Sequence, residues 1–321
     1  MTTAQTVPER LRRLTNGVSV QGLLALDLIL DDSEAIREWK DVLPGQASFE
    51  QAIPFWWDQS VQKLLPQAAM KLLNRQEDKL GSDWSIVSTA FPSLLKKEYT
   101  YHWFTVGTRT FYYSDPMSDN DKNPDECLAL LPFADLFNHS SGGCEVTFSS
   151  EAYKFTTKQR IFAGEEIFTS YGEHSNDFLL AEYGFVLENN KTDAVTLDLV
   201  LLDLFNDEHR KVLESTSFWA GYVLDANHIC YRTEVAIRLL CMPFNLWQQS
   251  LGEGFNEDDD YRESVDEILR ESLRKYSLIA HRMIQKTSDL HSRYNVQQAL
   301  LKKRWEQILF ILDNALLARH I

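Results

Sequence analysis

The sequence lacks three features that mark common functional classes. Its four cysteines are widely spread and none forms a C-x-x-C pair, so neither a zinc site nor a disulfide framework is indicated. No stretch approaches the run of about eighteen apolar residues that a membrane-spanning helix requires. The first residues show no basic start followed by an apolar block, so no secretion signal is predicted. These absences favour an intracellular protein with reduced thiols, in the cytoplasm or the nucleus.

Positive charge is also scarce. The chain has 32 basic residues against 47 acidic ones, which gives a net charge of −15. Because nucleic-acid binding depends on a basic surface, nucleic acid is not expected as a partner. The acidic balance is compatible with a basic protein as partner, since opposite charge speeds encounter. The sequence leaves the oligomeric state open.

The length and the order of predicted elements indicate two domains. The chain has 321 residues, and its composition changes near residue 190. Residues 1–190 are predicted to mix short strands with a helical insert at about 18–106, and residues 191–321 to be helical. The predicted helices of the first part cover 18–43, 49–80 and 84–106, the last beginning near Ser82 or Asp83. Its predicted strands are Arg109–Tyr113, Cys127–Phe133, Cys144–Phe148, Tyr153–Thr157 and Glu166–Ser170, with a surface loop at Ser114–Glu126. Further helices are predicted at Asn176–Tyr183, Ala194–Phe205, Thr233–Leu240, Tyr261–Thr287 and Val296–Ala318.

The first chemistry-bearing motif is Pro132–Ser140, where Asn138 and His139 follow an apolar turn. An asparagine side chain offers both a donor and an acceptor, which suits an amino-acid-like ligand, and an imidazole can reach an adenine edge or a carbonyl. Polar groups beside apolar residues are costly to bury without partners. Ordinary turn formation explains the same residue types, so the short motif alone leaves both interpretations open.

The second motif is Tyr171 followed by Gly172, at the end of a predicted strand. Glycine allows the backbone to approach a ligand closely. A positioned phenol can orient an amine for methyl transfer, a reaction that needs a neutral, aligned and water-free nucleophile. The competing interpretation is a strand-end tyrosine whose hydroxyl bonds to a backbone carbonyl.

Together these motifs resemble a known family. Residues 129–187 are similar to the C-terminal part of the SET domain, in the branch that includes the Rubisco large-subunit lysine methyltransferase. Residues 134–139 resemble its Asn-His motif, residues 165–172 its tyrosine segment, and residues 176–185 the helix and aromatic turn that follow. The resemblance implies an α+β, SET-like fold of short β-strands with a helical insert, followed by an all-α, substrate-binding C-terminal domain. It also implies that the two motif segments pack into a pseudoknot.

The resemblance implies a role for each motif residue. Tyr171 corresponds to the catalytic tyrosine, Asn138 and His139 to contacts with S-adenosylmethionine, and Arg109 to a residue near that donor or the target channel. Aromatic residues would line the path of the target lysine: Phe137, Tyr183 and Phe185. The implied activity is S-adenosylmethionine-dependent N-methylation of lysine in a non-histone protein, with no metal.

One part of the family pattern is missing. The glycine-rich Gly-x-Gly hairpin that opens a SET domain and holds the methyl donor is not found, so the domain is predicted to be N-terminally incomplete. Two other functions therefore stay open. One is a SET-like scaffold that binds partners without methyl transfer. The other is an enzyme acting on a small polyketide- or peptide-like molecule, in a cleft with aromatic residues such as Trp103 and Phe104 in its lining.

Overall fold

The computed structural model describes residues 1–113, 127–149, 152–225, 228–255 and 260–318, so the predicted loop Ser114–Glu126 lies outside the described residues. The α-helices are α1 (Glu9–Leu14), α2 (Val20–Leu30), α3 (Glu34–Asp41), α4 (Gln46–Ala52), α5 (Gln59–Gln62), α6 (Gln67–Ala90), α7 (Lys96–Arg109), α8 (Asn176–Tyr183), α9 (Asp198–Leu201), α10 (Asp207–Ser215), α11 (Tyr231–Cys241), α12 (Phe244–Glu253), α13 (Arg262–Ser288) and α14 (Asn295–Ala318). The strands are β1 (Thr2–Thr3), β2 (Thr110–Tyr112), β3 (Leu128–Leu130), β4 (Asn138–Phe148), β5 (Tyr153–Thr156), β6 (Phe168–Thr169), β7 (Ala194–Thr196) and β8 (Val223–Asp225). Among these helices none is long and apolar enough to cross a bilayer.

The chain forms two compact units whose segments alternate along the sequence. The first unit comprises Met1–Trp57, Lys71–His174 and Ala181–Gly184, and the second comprises Asp58–Met70, Ser175–Leu180 and Phe185–Ile321. Helix α8 contributes residues to both. The predicted domain boundary near residue 190 stays a prediction.

The first unit is built around the apolar helix α2, which packs against α7. Leu24 and Leu26 of α2 are fully buried beside Tyr99 and Phe104 of α7. A fully buried leucine contributes about 1.5–3 kcal/mol to folding, so this pair of helices supplies a large share of the core. Two small sheets complete the unit, with strand orders β1-β3-β2 and β5-β4-β6, and all pairs are antiparallel except the parallel pair β4–β6.

The second unit has its own core, formed mainly by the long helices α13 and α14 with α11. Trp247 and Trp305 are almost fully buried, and each indole donates a hydrogen bond to a backbone carbonyl, those of Val235 and Leu64. Paired in this way, the indoles bury large apolar surfaces without an unsatisfied donor. The predicted helical character of this region is confirmed, and the unit also contains the two-stranded antiparallel sheet β7–β8.

Several predicted elements are confirmed with shifted ends. Strands β3, β4, β5 and β6 lie at four of the five predicted strand segments, and α8, α11, α13 and α14 lie at four of the predicted helices. The predicted helix 18–43 is instead two helices, α2 and α3. They separate because Asp31 adopts an extended backbone conformation and its carboxylate accepts the N–H of Ser33, which starts the next helix.

The predicted helix start near Ser82 or Asp83 is wrong. Both residues lie inside α6, and the next helix begins at Lys96. Asp83 has a tertiary role: its buried carboxylate accepts the indole N–H of Trp103 and the backbone N–H of Ser19. Aspartate favours helix starts, but the hydrogen bonds of Asp83 to two other segments outweigh that local preference.

The other differences come from sequence context. The predicted helix 49–80 is divided, because Pro54 and Pro66 interrupt the helical pattern: short helices lie within residues 46–62, and residues 67–80 belong to α6. Arg109 ends α7, so the following strand begins one residue later than predicted, at Thr110. The predicted helix Ala194–Phe205 begins with strand β7, whose residues Val195 and Thr196 are β-branched. Helices α10 and α12 were not predicted.

Candidate active site

The parallel pairing of β4 and β6 brings the two sequence motifs together. Asn138 is opposite Phe168 and His139 is opposite Thr169, and after a register shift Cys144 is also opposite Thr169. The close approach depends on Gly143, because a Cβ atom there would lie 2.5 Å from the carbonyl carbon of Thr169. Residues 138–144 therefore pack tightly against β6, which ends two residues before Tyr171.

Tyr171 is hydrogen-bonded to residues 137–139 through both its backbone and its side chain. Its backbone N–H donates to Nδ1 of His139 over 3.0 Å, and its hydroxyl donates to the carbonyl of Phe137 over 2.8 Å. Its ring lies beside those of His139 and Tyr183, with centroid distances of 5.1 and 5.0 Å. The hydroxyl bond to a backbone carbonyl, one of the two interpretations of the sequence, is thus present, and it fixes the direction of the phenol.

The turn after Tyr171 is shaped by Gly172 and His174. Gly172 has φ of +122°, and a Cβ atom there would lie 2.6 Å from Nε2 of His174. That nitrogen lies 3.0 Å from the carbonyl oxygen of Tyr171. Since a carbonyl can only accept, Nε2 of His174 carries the proton in this contact. Glycine is needed here both for its backbone conformation and for the space that the imidazole takes.

Burial favours the neutral forms of Tyr171 and His139. Burial raises the pKa of the Tyr171 phenol, an effect opposed by Arg109 and reinforced by Asp135 and Glu166. Burial, and secondly the charge of His174, lower the pKa of the His139 imidazole. A neutral imidazole is also what the geometry requires, because Nδ1 of His139 must stay unprotonated to accept the N–H of Tyr171.

The remaining predicted residues differ in their surroundings. Asn138 is exposed, and its amide Nδ2 donates to Oε1 of Glu166 over 2.6 Å. The ring of Phe137 packs against Phe155, with centroids 5.3 Å apart. Tyr183 is half-buried beside Tyr171, whereas Phe185 belongs to the second unit, where its N–H donates to the carbonyl of Leu179. The structure therefore brings Phe137, His139, Tyr171 and Tyr183 together.

Arg109 engages a carboxylate that the sequence did not single out. Its Nη1 donates to the carbonyl oxygen of Asp135 over 2.7 Å and to Oδ2 over 3.1 Å. The same carboxylate accepts the indole N–H of Trp39. Asp135 and Glu166 lie within the quoted motifs and could have been chosen for their charge. Trp39 lies in the helical insert, and no local pattern distinguishes it from other buried tryptophans.

Comparison with known proteins identifies two domain families in the chain. Residues 25–172 match the SET domain, and residues 193–318 match the C-terminal domain of ribosomal lysine N-methyltransferase 2. Residues 25–172 therefore carry a SET domain, and a domain of this C-terminal type follows it. This confirms the family and the fold class predicted from the sequence, with a helical domain following the SET domain.

Curated relatives of this SET-domain chain are named as lysine methyltransferases. Ribosomal lysine N-methyltransferase 2 of Saccharomyces cerevisiae is 24% identical over 322 residues, covering 84% of this chain and 67% of that protein. Ribosomal lysine N-methyltransferase set11 of Schizosaccharomyces pombe is 26% identical over 230 residues, covering 68% of this chain. The match covers 58% of the length of set11, so this chain spans only part of the length of such relatives.

Solved structures share the fold over nearly the whole chain. The SET domain of LSMT bound to lysine and AdoHcy superimposes with a TM-score of 0.66 and 17% identity, covering 97% of this chain and 77% of that one. Rubisco LSMT bound to AdoMet gives a TM-score of 0.59 and 16% identity, covering 98% of this chain and 82% of that one. At this level of identity the likeness establishes the fold.

Proposed function

We propose that the chain is an S-adenosylmethionine-dependent lysine N-methyltransferase that acts on a non-histone protein, with Tyr171 as its catalytic tyrosine. The observation that carries this proposal is the double attachment of Tyr171 to residues 137–139, through its N–H and its hydroxyl. Two motifs about thirty residues apart thereby converge on one phenol. Relatives that carry the name of lysine methyltransferase support the same reaction.

The residues around Tyr171 suit the methyl donor. S-Adenosylmethionine supplies, when bound, a methyl group on a positively charged sulfur. Asn138 is exposed, and its Oδ1 has no hydrogen bond to the part of the chain that is described, so it is available to accept from the ammonium group of the donor. Aromatic faces such as those of Tyr171 and Tyr183 attract a cation. His139 supports the site through Tyr171, and Arg109 through Asp135.

Tyr171 acts as an orienting group in this mechanism. Because burial raises the pKa of its phenol, the hydroxyl keeps its proton at neutral pH and is not a general base. The proton is committed to the carbonyl of Phe137, so the oxygen lone pairs are directed to the other side of the hydroxyl and can accept from the target amine. Desolvation lowers the pKa of a lysine, which favours the neutral amine that methyl transfer requires.

A ribosomal protein is the first candidate for the substrate. Two of the relatives are named for methylation of ribosomal lysine, and the helical region 193–318 matches the C-terminal domain of one of them. We assign residues 191–321 to substrate binding, as a domain separate from the SET-like residues 1–190. The net charge of −15 favours encounter with a basic protein, and proteins that bind nucleic acid are commonly basic.

The test compares the wild type with Tyr171→Phe and Asn138→Ala. Donor binding is measured by calorimetry, and methyl transfer from tritiated S-adenosylmethionine is measured on ribosomal proteins of Saccharomyces cerevisiae cells that lack their own ribosomal lysine N-methyltransferase 2. We expect Tyr171→Phe to bind the donor nearly normally and to lose most of its turnover, and Asn138→Ala to bind more weakly. Unchanged turnover in Tyr171→Phe would contradict the proposed role of Tyr171.

A scaffold without methyl transfer is the second candidate, and one observation favours it. The Tyr171 hydroxyl is bonded inward to the backbone of its own chain. In the calorimetric experiment, a wild type that binds no donor at millimolar concentration would support this alternative. The small-molecule alternative loses part of its basis, because Trp103 and Phe104 are core residues with 2% exposure each and do not line a cleft.

A further inference from the structure

Asp135 is a buried carboxylate at the centre of a three-residue cluster. Its side chain is fully buried, and both of its oxygens lie within 3.2 Å of the indole nitrogen of Trp39. Nη1 of Arg109 donates to Oδ2 and also to the carbonyl oxygen of the same residue. We call Trp39, Asp135 and Arg109 the Asp135 clamp. Charged hydrogen bonds of this kind are about twice as strong as neutral ones.

The clamp holds a turn whose own backbone bonds are long. Asp135 is the middle residue of the 3-10 helix Ala134–Leu136, which is preceded by Phe133 at the unfavourable φ of +74°. The backbone hydrogen bonds donated by residues 135, 136 and 137 measure 3.2, 3.3 and 3.4 Å, at or beyond the long end of the normal range. Side-chain contacts therefore supply much of what fixes this turn.

The turn leads directly to the group that orients Tyr171. Two residues after Asp135, the carbonyl of Phe137 accepts the Tyr171 hydroxyl over 2.8 Å. A small rotation of the turn would displace that carbonyl and with it the phenol. Displacements of about 1 Å from a productive geometry can cost a hundredfold in rate.

We propose that Trp39 and Arg109 are positioning residues, which act through Asp135 and the carbonyl of Phe137 to set the direction of the Tyr171 hydroxyl. Neither residue has to touch the substrate or the donor for this role. The inference rests on the proposed function for its kinetic consequence, but the orientation of Tyr171 can be measured without any turnover. The charges of the clamp act on Tyr171 as well, since Arg109 lowers and Asp135 raises the pKa of its phenol.

Trp39→Phe is the central variant, and Trp57→Phe is its matched control. Both tryptophans belong to the first unit, both are 5% exposed, and each indole donates a hydrogen bond, that of Trp57 to the carbonyl of Gln51. Both substitutions remove one indole N–H and leave a similar void. A general loss of packing would affect both variants alike, whereas loss of the clamp affects Trp39→Phe alone.

The first measurement is kinetic, on the ribosomal proteins named above. We expect kcat of Trp39→Phe to fall about tenfold with the KM for S-adenosylmethionine nearly unchanged, and Trp57→Phe to retain the kcat of the wild type. Equal kcat values in the two variants would overturn the inference. An inactive wild type would instead contradict the proposed function and leave the second measurement to decide the inference.

The second measurement is the NMR spectrum of protein with isotope-labelled tyrosine rings, in which Tyr171→Phe identifies the Tyr171 resonance. We expect that resonance to move in Trp39→Phe and to stay in place in Trp57→Phe. Asp135→Asn provides an independent variant, because it keeps the side-chain size but removes the charge. Removing that negative charge should lower the pKa of Tyr171, as read from the pH titration of its resonance. A Tyr171 resonance that is unaltered in both Trp39→Phe and Asp135→Asn would overturn the inference.

Discussion

The backbone N–H of Tyr171 donates to Nδ1 of His139, which lies 32 residues earlier in the chain, over 3.0 Å. This bond requires an unprotonated Nδ1, so the position of the Tyr171 backbone depends on the charge state of His139. The pairing of β4 with β6 brings the two residues together, and the bond then fixes the end of β6. The charge dependence of this bond can be tested through pH, and the strand pairing through the close approach at Gly143.

The contribution of His139 to stability should decrease as the pH falls. Its folded-state pKa lies below the ordinary value of 6.5, chiefly because it is partly buried. Between pH 6.5 and that lower pKa the unfolded chain binds a proton that the folded chain does not, so this contribution is complete above pH 6.5 and decreases below it. We expect His139→Asn, whose Oδ1 can accept the same N–H without titrating, to reduce this pH dependence.

Urea unfolding of the wild type and of His139→Asn, repeated over a series of pH values, measures the effect. His102 and His174 also have lowered pKa values, so the wild type and the variant are compared by the difference in their slopes rather than by either slope alone. Parallel stability curves across this pH range would show that His139 is not the titrating group.

Gly143→Ala should disrupt the contact between β4 and β6. A Cβ atom at Gly143 would lie 2.5 Å from the carbonyl carbon of Thr169, whereas one at Gly142 would meet nothing within 4 Å. We expect Gly143→Ala to lose about 1–3 kcal/mol of unfolding free energy, as overpacked sites do, and methyl transfer to fall with it. Gly142→Ala is the control and should stay within about 0.5 kcal/mol of the wild type. Denaturant unfolding of both variants measures the difference. Equal unfolding free energies would contradict the close approach of Gly143 to Thr169.

Arg304→Met should strongly destabilise the second unit. Arg304 is fully buried, with its Nε 2.7 Å from Asp177 and its Nη1 2.6 Å from Asp193. Its removal leaves two buried carboxylates without their cation, for which the expected loss is about 3–5 kcal/mol. The control is Lys302→Met on the same helix, which removes only an exposed pair with Glu306 and should cost about 0.5 kcal/mol or less. Similar unfolding free energies for the two variants would exclude a structural role for the buried pairs.

The sequence alone determined the family resemblance and the fold class. Asn138, His139 and Tyr171 could be selected because their two motifs together resemble segments of the SET domain, whereas the local pattern of polar residues after short apolar segments left ordinary turn formation open. The long helices of the second unit were also predictable, since their apolar periodicity extends over many turns.

Only the tertiary structure decided which partners the buried polar groups take. Trp39 meets Asp135 across 96 residues, Asp83 lies inside a helix rather than at its start, and Arg109 engages a carboxylate. Local propensities and periodicity describe neighbours along the chain. A buried charge must instead find its partner wherever the fold brings one within hydrogen-bonding distance, and that distance is set by packing between segments far apart in sequence.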